Sequence, residues 1–471
     1  MTQVEGSGPV AAAGGRGGWM PTERERVAAI AAAIACVAVV GIGLSLSIPL
    51  LSLEMERRGA SSTLIGLNTA MAGISSILVV PFVPRVASRI GVVPLLTLSL
   101  VVSAVSLVAF PLLPGLWPWF PLRFVFSAGL GALFVLSEYW INAAAPPERR
   151  GLVLGIYTTV LALGFATGPV LIALVGTTGV WPYLTGALLV LAGLLPVLLA
   201  RGLSPAVEGG TGRGVFGYVR FAPAALCAAL LYGAVETGIF AILPLYGLRI
   251  GYDAQGAAGL LSLIALGNVL FQIPFGWLAD RFDRTLVLLG TSLGCAVGSA
   301  LIPAASGSAT ALAVLLFLWG GLAGTLYTVG LAALGARVSA ADLAGANATF
   351  VVLYNVGLIL GPPVIGGGLD LIPPDGFAYA LLGLFLAYAL PLAGTLRRRS
   401  LDLTAPIGHA TRRIRPGLPG PFAFRSRGGM PPAQEQPPWP RPSPSRSSSS
   451  PPPTRATSTS PRRTRGRRPR S

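Results

Sequence analysis

The chain has 471 residues, of which 53% are hydrophobic and only 11% are charged. A soluble domain carries about 25% charged residues, so this composition excludes an ordinary water-soluble protein. Apolar runs of about 20 residues, long enough to cross the roughly 30 Å hydrocarbon core of a bilayer, recur along the chain and predict a polytopic membrane protein.

Twelve such runs are separated by short polar breaks. Each is predicted to be a helix, because lipid offers no partner for an open backbone N–H or C=O group. Glycines and prolines inside them are expected to be tolerated where neighbouring helices pack closely. The predicted spans, numbered 1 to 12 in chain order, are 27–53, 62–83, 92–114, 120–141, 151–175, 180–200, 221–247, 256–277, 285–304, 308–334, 345–369 and 376–396.

The placement of arginine predicts the orientation, because positive charge is retained on the cytoplasmic side of a membrane. The chain has no lysine. With the N-terminus inside, ten arginines fall in the five internal loops, and three, Arg57, Arg58 and Arg249, fall in external loops. Both termini are therefore predicted to be cytoplasmic, in a bacterial cytoplasmic (inner) membrane.

Composition also divides the chain along its length. The predicted organisation is a disordered N-terminus (1–26), a six-helix half (27–200), a cytoplasmic linker (201–220), a second six-helix half (221–396) and a disordered tail (397–471). The tail holds 17 arginines against two acidic residues and so accounts for +15 of the net charge of +17. It either attracts anionic headgroups or RNA, or is an extension without a function. No nucleic-acid partner is expected.

Missing residue types exclude several enzyme classes. Without lysine there is no P-loop for ATP. The only histidine, His409, lies in the basic tail, so no histidine is available for a metal site or a base within the membrane. Cys36, Cys227 and Cys295 lie singly in different spans, which indicates packing and not a disulfide. We therefore predict no enzyme activity, no metal and no cofactor.

A Gly-x-x-x-Gly-Pro element occurs in both halves, 193 residues apart. Its copies are Gly164, Gly168 and Pro169 in span 5, and Gly357, Gly361 and Pro362 in span 11. Each glycine pair lies on one face of its helix, where it allows close packing or bending against a partner helix. Two halves with a duplicated plan predict a central cavity between them.

A basic turn follows the second span of each half. In the second half it reads Gly276-Trp-Leu-Ala-Asp280-Arg281-Phe-Asp283-Arg284. This turn resembles the loop motif G-x-x-x-D-R-x-G-R of the major facilitator superfamily, with Asp283 where glycine is usual. In the first-half copy, Arg89 and Gly91 occupy equivalent places, but the acidic residue is missing.

Span 4 contains Arg123-Phe-Val-Phe-Ser-Ala-Gly129-Leu-Gly131, which is similar to the fourth-helix signature of the same family. The resemblance covers residues 25–396. It implies an all-α membrane fold of twelve helices in two pseudo-symmetric halves, and secondary transport of a small molecule by alternating access. The Gly-x-x-x-Gly-Pro element of span 5 resembles the signature of the family's exporters, although simple close packing explains it equally well.

The resemblance also implies a conformational latch. Asp280 is expected to lie against the positive N-terminal end of span 5, near Gly151, and to hold the cytoplasmic side shut. The arginines of the turn either support this contact or only enforce the orientation. The residues assigned to the latch are Gly276, Asp280, Arg281, Arg284, Arg89 and Gly91.

Ionisable groups inside spans are the best pointers to function, since they are costly in lipid and usually face a cavity or a partner. Glu236 lies midway along span 7, with Tyr232 and Phe240 at i−4 and i+4. Loss of hydration favours its neutral form, which suits either proton coupling or a structural hydrogen bond. Glu138 in span 4 is a second candidate for proton coupling, and the family resemblance implies a place in the same network for Arg123 of that span. Glu138 can instead be interfacial or structural, and Arg123 can instead extend to the headgroups.

Spans 1, 4, 7 and 10 line the cavity in the family, which implies the following set of lining residues. They are Ser45, Ser127, Phe134, Tyr232, Phe240, Trp319, Tyr327 and Thr328. This aromatic, weakly polar set suits an apolar or amphipathic organic molecule better than a phosphate. Alternatively, many of these aromatic residues only pack helices.

The sequence therefore predicts a monomeric secondary transporter that exports small organic or drug-like compounds in exchange for protons. The alternatives are proton-driven uptake of a neutral metabolite such as a sugar or nucleoside, and a membrane sensor or scaffold that transports nothing and works through its basic tail.

Overall fold

A computed structural model describes residues 22–146, 149–203, 222–338 and 343–404. The predictions for most of the N-terminal segment, the linker and the basic tail lie outside these residues. The described part is helical and contains twelve helices long and apolar enough to cross a membrane. The predicted all-α fold with twelve spans is therefore confirmed.

The helix bounds lie close to the predicted ones. In the first half, the spans are Glu23–Arg57, Ser62–Ile90, Val92–Leu112, Trp119–Ala144, Leu152–Val175 and Trp181–Leu199. In the second half, they are Pro223–Arg249, Ala254–Arg281, Arg284–Ala305, Ala309–Gly335, Gly345–Leu371 and Gly376–Leu396. Three of these helices continue past the apolar segment, as Arg150–Val175, Leu343–Leu371 and Gly376–Thr404.

Side chains near the helix starts explain several of these bounds. Span 1 begins four residues before its predicted start because Thr22 and Glu25 form a capping box, in which each side chain bonds to the backbone of the other residue. Asp253 accepts a hydrogen bond from the N–H of Gly256 and begins span 8. Gly91 ends span 2 with a φ of +93°, a conformation that favours glycine.

Prolines lie inside eight of the spans without interrupting the helices, as predicted. Span 2 tightens into a 3₁₀ turn at Val80–Phe82, where Pro81 lies, before continuing as Val83–Ile90. Span 6 consists of two helices, Trp181–Ala192 and Leu194–Leu199, separated at Gly193. These two breaks are local, and both spans remain long and apolar enough to cross a membrane.

Equivalent spans pack in equivalent ways in the two halves. Span 1 packs on span 5 as span 7 packs on span 11, and span 3 packs on spans 4 and 6 as span 9 packs on spans 10 and 12. The first glycine pair makes the contact in its half: a Cβ on Gly164 would lie 3.1 Å from the carbonyl oxygen of Ala38, and one on Gly168 would overlap Ser45. In the second half, Gly357 and Gly361 lie against Leu230 and Ala234 of span 7 in the same way.

Span 11 also forms the closest contact between the halves, along span 2. A Cβ on Gly66 would overlap the carbonyl of Pro362, and one on Gly366 would overlap the carbonyl of Ser62. A Cβ on Gly73 would lie 2.8 Å from the carbonyl oxygen of Asn355. We call this contact the span 2–span 11 seam. Because backbone meets backbone, side chains larger than glycine do not fit at these positions.

Burial differs greatly between spans. In the most apolar window of span 7, 83% of the residues are buried within the protein, against 22% for span 5. Span 7 is therefore enclosed by other helices on nearly all sides, and its polar residues face protein and not lipid.

Candidate functional site

The carboxylate of Glu236 lies at the centre of a hydrogen-bond network in the second half. The hydroxyl of Tyr232, one turn earlier in span 7, donates to Oε1 at 2.9 Å. The hydroxyl of Tyr354, in span 11, donates to Oε2 at 2.5 Å. Among the described residues, no basic nitrogen lies within 4.0 Å of this carboxylate, so hydroxyl groups alone hold it.

Three tyrosine rings surround the network. Tyr327 of span 10 lies with its ring centroid 5.5 Å from that of Tyr232 and 5.9 Å from that of Tyr354, and the rings of Tyr232 and Tyr354 stack at 6.1 Å. Tyr232, Tyr327 and Tyr354 form what we call the tyrosine cluster. It brings spans 7, 10 and 11 together around a single acidic group.

Amide side chains extend the network from Glu236 towards the predicted cytoplasmic side. Asn268 of span 8 donates to the hydroxyl of Tyr232 at 3.4 Å, and Gln272 donates to the side-chain oxygen of Asn268 at 2.8 Å. Thr328 of span 10 donates to the side-chain oxygen of Gln272. The side chains of Asn268, Gln272 and Thr328 are partly exposed. They form a strip of uncharged donors and acceptors, which we call the polar strip.

Two predicted cavity residues lie elsewhere. Ser45 is fully buried and donates to the carbonyl of Gly164 at 3.0 Å, where span 1 packs on span 5. Trp319 is 2% exposed, and its indole N–H donates to Cys295 and Ser299 of span 9. In this structure, the rotation of each helix turns these two side chains towards a neighbouring helix of the same half.

The remaining predicted cavity residues are distributed over both halves. Phe240 meets Phe165 of span 5 edge-on, with centroids 5.9 Å apart, and so links the halves. Phe134 is partly exposed and Ser127 is buried. The structure thus brings Glu236 together with Tyr232, Tyr327 and Thr328.

The two span 4 candidates differ in exposure. The guanidinium of Arg123 is only 1% exposed, so the prediction that it can extend to the headgroups is wrong. Its Nε and Nη2 atoms have no hydrogen-bond partner in the part of the chain that the structure describes, and its Cζ lies 5.9 Å from the centroid of the Phe126 ring. Glu138 is exposed and lies within electrostatic range of Tyr327 of the tyrosine cluster, which belongs to the other half.

The predicted external ends of spans 1, 2, 7 and 11 meet in a charged cluster. The two carboxylate oxygens of Asp370 accept hydrogen bonds from the backbone N–H groups of Ser62 and Thr63, at 3.0 and 2.7 Å. Arg249 donates to the hydroxyl of Ser62 at 2.7 Å and lies 3.4 Å from Asp370 and 3.7 Å from Glu56. We call these five residues the external cluster. It joins the halves by placing a carboxylate at the N-terminus of span 2, where the helix dipole favours negative charge.

The three arginines of the predicted external loops are exceptions to the rule that positive charge is retained on the cytoplasmic side. The external cluster binds Arg249, and neighbouring contacts bind Arg57 and Arg58. Arg57 forms an ion pair with Glu54 at 2.6 Å and donates to the carbonyl of Thr177 at 2.5 Å. Arg58 pairs with the same glutamate at 2.9 Å and lies over the ring of Trp119 at 4.7 Å. All three arginines on this side are therefore bound within the protein.

The basic turn between spans 8 and 9 makes contacts only within its own half among the described residues. The side chain of Asp280 is 77% exposed and lies 3.7 Å from Arg284, which donates to the carbonyl of Ala332 at 3.1 Å. Arg281 stacks over the ring of Trp277 at 4.1 Å. Arg89, in the first-half turn, is exposed. The structure does not describe side-chain contacts at positions 150 and 151, where the latch was predicted.

Asp283 replaces the glycine of the motif and has a local role. Its Oδ1 accepts the backbone N–H groups of Thr285 and Leu286 at 2.7 and 3.3 Å, and so caps span 9. Partial burial alone would raise the pKa of this carboxyl group, but the hydrogen bonds from Thr285 and Leu286, with the nearby charge of Arg337, outweigh it and lower the pKa.

Several of these residues were missed by sequence reasoning. Asn268 and Gln272 are polar residues four apart in an apolar span, a signal that was present but not used. Tyr354 lies three residues before Gly357, and nothing in the sequence shows that its face of span 11 meets span 7. Arg249 was interpreted only as a charge of an external loop, and Asp370 was not singled out.

Twelve spans in two six-helix halves, with one end joined by charges and a partly buried carboxylate between helices, define a polytopic membrane transporter fold. The sequence profile of the Major Facilitator Superfamily matches residues 33–268 and 226–428, which together cover most of the chain. The chain therefore belongs to the Major Facilitator Superfamily and is a secondary transporter, not an enzyme.

Curated relatives support this assignment. The chain is 27% identical over 331 residues to the "Uncharacterized MFS-type transporter YfkF" of Bacillus subtilis, which covers 67% of this chain and 82% of the relative. It is 30% identical over 281 residues to the "Uncharacterized MFS-type transporter YcaD" of Shigella flexneri. That alignment covers 59% of this chain and 72% of the relative. These bacterial relatives indicate a multi-pass protein of the cytoplasmic membrane.

Solved structures share the fold at low sequence identity. A crystal structure of nucleoside transporter NupG matches with a TM-score of 0.63 and 15% identity, over 79% of this chain and 98% of that one. A second match is a bacterial homologue of the human lysosomal transporter Spinster, in an inward-facing and unoccupied conformation. Its TM-score is 0.65 at 14% identity, and the match covers 81% of this chain and 99% of that one. These similarities concern the fold alone.

Proposed function

We propose that this chain is a proton-coupled exporter of small organic or drug-like compounds, with Glu236 as the group that binds the proton. The observation that carries the proposal is the environment of this carboxylate. It lies midway along the most enclosed span, it has two hydroxyl donors, and none of the described residues supplies a neutralising cation. Such a group is costly in its charged form and is therefore a natural place for a proton to bind and leave.

The cavity chemistry supports an organic substrate. The residues near Glu236 are aromatic, and the polar strip adds uncharged hydrogen-bonding groups. Recognition of a phosphate or a dicarboxylate would call for several arginines that can reach the substrate. Arg123 of span 4 is fully buried and so does not present its charge to a substrate in this structure. The Gly-x-x-x-Gly-Pro element of span 5 supports export only through the family resemblance.

Proton coupling is tested by Glu236→Gln, which mimics the protonated side chain. We expect substrate exchange down its own gradient to persist in proteoliposomes, while accumulation driven by an imposed pH difference disappears. Glu138→Gln is the comparison, since it neutralises the other predicted coupling carboxylate. If the Glu236→Gln protein still accumulates substrate in response to a pH difference, the carboxylate is structural and Glu138 becomes the candidate.

The polar strip favours a second function, proton-driven uptake of a neutral metabolite such as a sugar or nucleoside. Asn268, Gln272 and Thr328 can bind hydroxyl or carbonyl groups without adding charge. Direction separates the two functions. Accumulation in inverted vesicles with an acid interior indicates export, and loss of preloaded substrate under the same gradient indicates uptake.

The proposed topology places both termini in the cytoplasm, and the protein is proposed to act as a monomer. The external cluster then lies on the outer face of the membrane and closes the transporter on that side. An impermeant thiol reagent applied to intact cells should label a cysteine introduced at Gly307 but not the same residue introduced at Gly202.

A further inference from the structure

Span 11 is held on two sides at the level of Glu236. On one side, a Cβ on Gly233 of span 7 would overlap the carbonyl oxygen of Tyr354. On the other side, Gly73 of span 2 packs against the backbone of Asn355 and the side chain of Leu358. Adjacent residues of span 11 therefore contact the carboxylate-bearing helix of their own half and the nearest helix of the other half.

The hydroxyl of Tyr354 forms a hydrogen bond between span 11 and span 7. It donates to Glu236 Oε2 at 2.5 Å, whereas the bond from Tyr232 stays within span 7, from residue i to residue i+4. Tyr354 therefore joins the carboxylate directly to span 11, whereas Tyr232 connects it only to span 8, through the hydrogen bond from Asn268. The other titratable groups around Glu236 are Tyr232 and Tyr327, and Tyr327 is in turn close enough to Glu138 of span 4 to interact with its charge.

Protonation of Glu236 changes the strength of the hydrogen bond that it accepts from Tyr354. An ionised carboxylate accepts both hydroxyl groups, and such charge-assisted bonds are roughly twice as strong as neutral ones. A protonated carboxyl group carries a hydrogen on one oxygen and holds its donors more weakly. The structure, which has both hydroxyls on the carboxylate and a closed external cluster, is therefore favoured when Glu236 is ionised.

We propose that Tyr354 is the positioning residue through which the protonation state of Glu236 controls the span 2–span 11 seam. This inference rests on the proposed function, since it takes Glu236 as the group that binds the proton. Protonation weakens the bond from Tyr354, releases span 11 from span 7, and lets the predicted external side open. The inference adds to the proposed function a specific route from the proton to the contact between the halves.

The test uses the full-length protein in proteoliposomes and needs no known substrate. Cys227 is the exposed native cysteine, while Cys36 and Cys295 are buried, so Cys227→Ser provides the background. Spin labels are attached to cysteines introduced at Trp117 and Gly307, which lie on the predicted external side of the first and second halves. Trp117 is 76% exposed, and Gly307 has open space around it. Electron paramagnetic resonance then measures the distance between the labels as the pH is lowered.

In the parent protein, acidification is expected to increase the population with the longer distance. Tyr354→Phe should abolish this shift. Tyr232→Phe removes the other hydroxyl from the same carboxylate and should change the midpoint of the shift but keep its amplitude. Tyr388→Phe removes a hydroxyl that donates to the carbonyl of Ala224, remote from Glu236, and should change neither.

The outcomes separate this inference from the proposed function. A Tyr354→Phe protein that opens on acidification as the parent does overturns the role of Tyr354 and leaves the proton site intact. A Glu236→Gln protein that still responds as the parent does overturns the proton site itself. A parent protein that shows no pH response overturns both.

Discussion

The two ends of the membrane domain use charged side chains in different ways. At the predicted external end, Asp370 and Arg249 of the second half bind Ser62 and Glu56 of the first half. At the predicted cytoplasmic end, the contacts that Asp280 and Arg284 make with the described residues stay within the second half. The same device, a carboxylate at the start of a helix in the other half, was predicted for Asp280 but is formed here by Asp370.

This difference is what an alternating-access cycle requires. In alternating access the two ends open in turn, so when charges join the halves at one end, the charges at the end that is free to open should lack partners in the other half. The exposed Asp280 is therefore available for a contact that forms when the external cluster separates. The variants below test whether each end acts as a switch between the halves or only as a structural contact.

The largest effect is expected where backbone meets backbone in the span 2–span 11 seam. Gly366→Leu forces a large side chain onto the carbonyl of Ser62. Overpacking of this kind costs about 1–3 kcal/mol, enough to change the balance between two conformations by about five- to 150-fold. Transport in vesicles should be largely lost at normal expression. Gly383→Leu, in a position of span 12 with open space, is the control. Full activity of the Gly366 variant would show that the seam does not close during transport.

The next effect concerns the external cluster itself. Asp370→Ala removes the acceptor of two backbone N–H groups at the start of span 2, a loss comparable to that of a helix cap, about 0.5–2 kcal/mol. The external side should open more often, so an impermeant maleimide should label a cysteine at Gly367 several times faster. Asp375→Ala removes an acidic side chain at the same end and should not change the rate. Equal labelling of the two variants would make the cluster irrelevant to opening.

A smaller effect is expected for Asp280→Asn, because this side chain is mostly exposed in the structure. If Asp280 latches the cytoplasmic side in the other conformation, its neutralisation should increase the cytoplasmic accessibility of a cysteine introduced at Leu152. Expression should stay normal. Glu25→Gln, a neutralised acid on the same predicted side, is the control. Labelling at the parent rate would remove the latch from the mechanism.

The smallest effect is expected for Asp283→Ala, which removes the cap of span 9 and should cost about 1 kcal/mol of stability. Because the folded-state pKa of Asp283 is lowered, its contribution is present above the ordinary pKa of 3.8 and is lost as the pH falls through the folded-state value. Melting in detergent should therefore differ between variant and parent at pH 7, and the difference should shrink under strongly acidic conditions. A difference that persists unchanged in acid would contradict the cap.

Features that depend on local sequence were well predicted. The twelve spans follow from the length of the apolar runs, and the duplicated plan follows from the repeated glycine and proline positions. Glu236 was identified because a carboxylate in an apolar span is costly whatever surrounds it. Each of these arguments needs only neighbours along the chain.

Features that depend on helix rotation were not predicted. Ser45 and Trp319 belong to cavity-lining spans, but their faces turn towards spans 5 and 9. Tyr354 is 118 residues from Glu236, and its role depends on which side of span 11 meets span 7. The position of a side chain around a helix axis is set by packing between helices, which a uniformly apolar sequence records only weakly.

The enclosure of span 7 has a consequence for how this sequence can vary. A helix in contact with lipid tolerates exchange among apolar residues, because lipid chains adapt to their shape, whereas an enclosed helix must match fixed neighbours. Since 83% of the central window of span 7 is buried, against 22% for span 5, random apolar substitutions should be far less tolerated in span 7. Substitutions that change the substrate range of this transporter are therefore expected to accumulate in the helices around span 7, while the sequence of span 7 itself should change slowly.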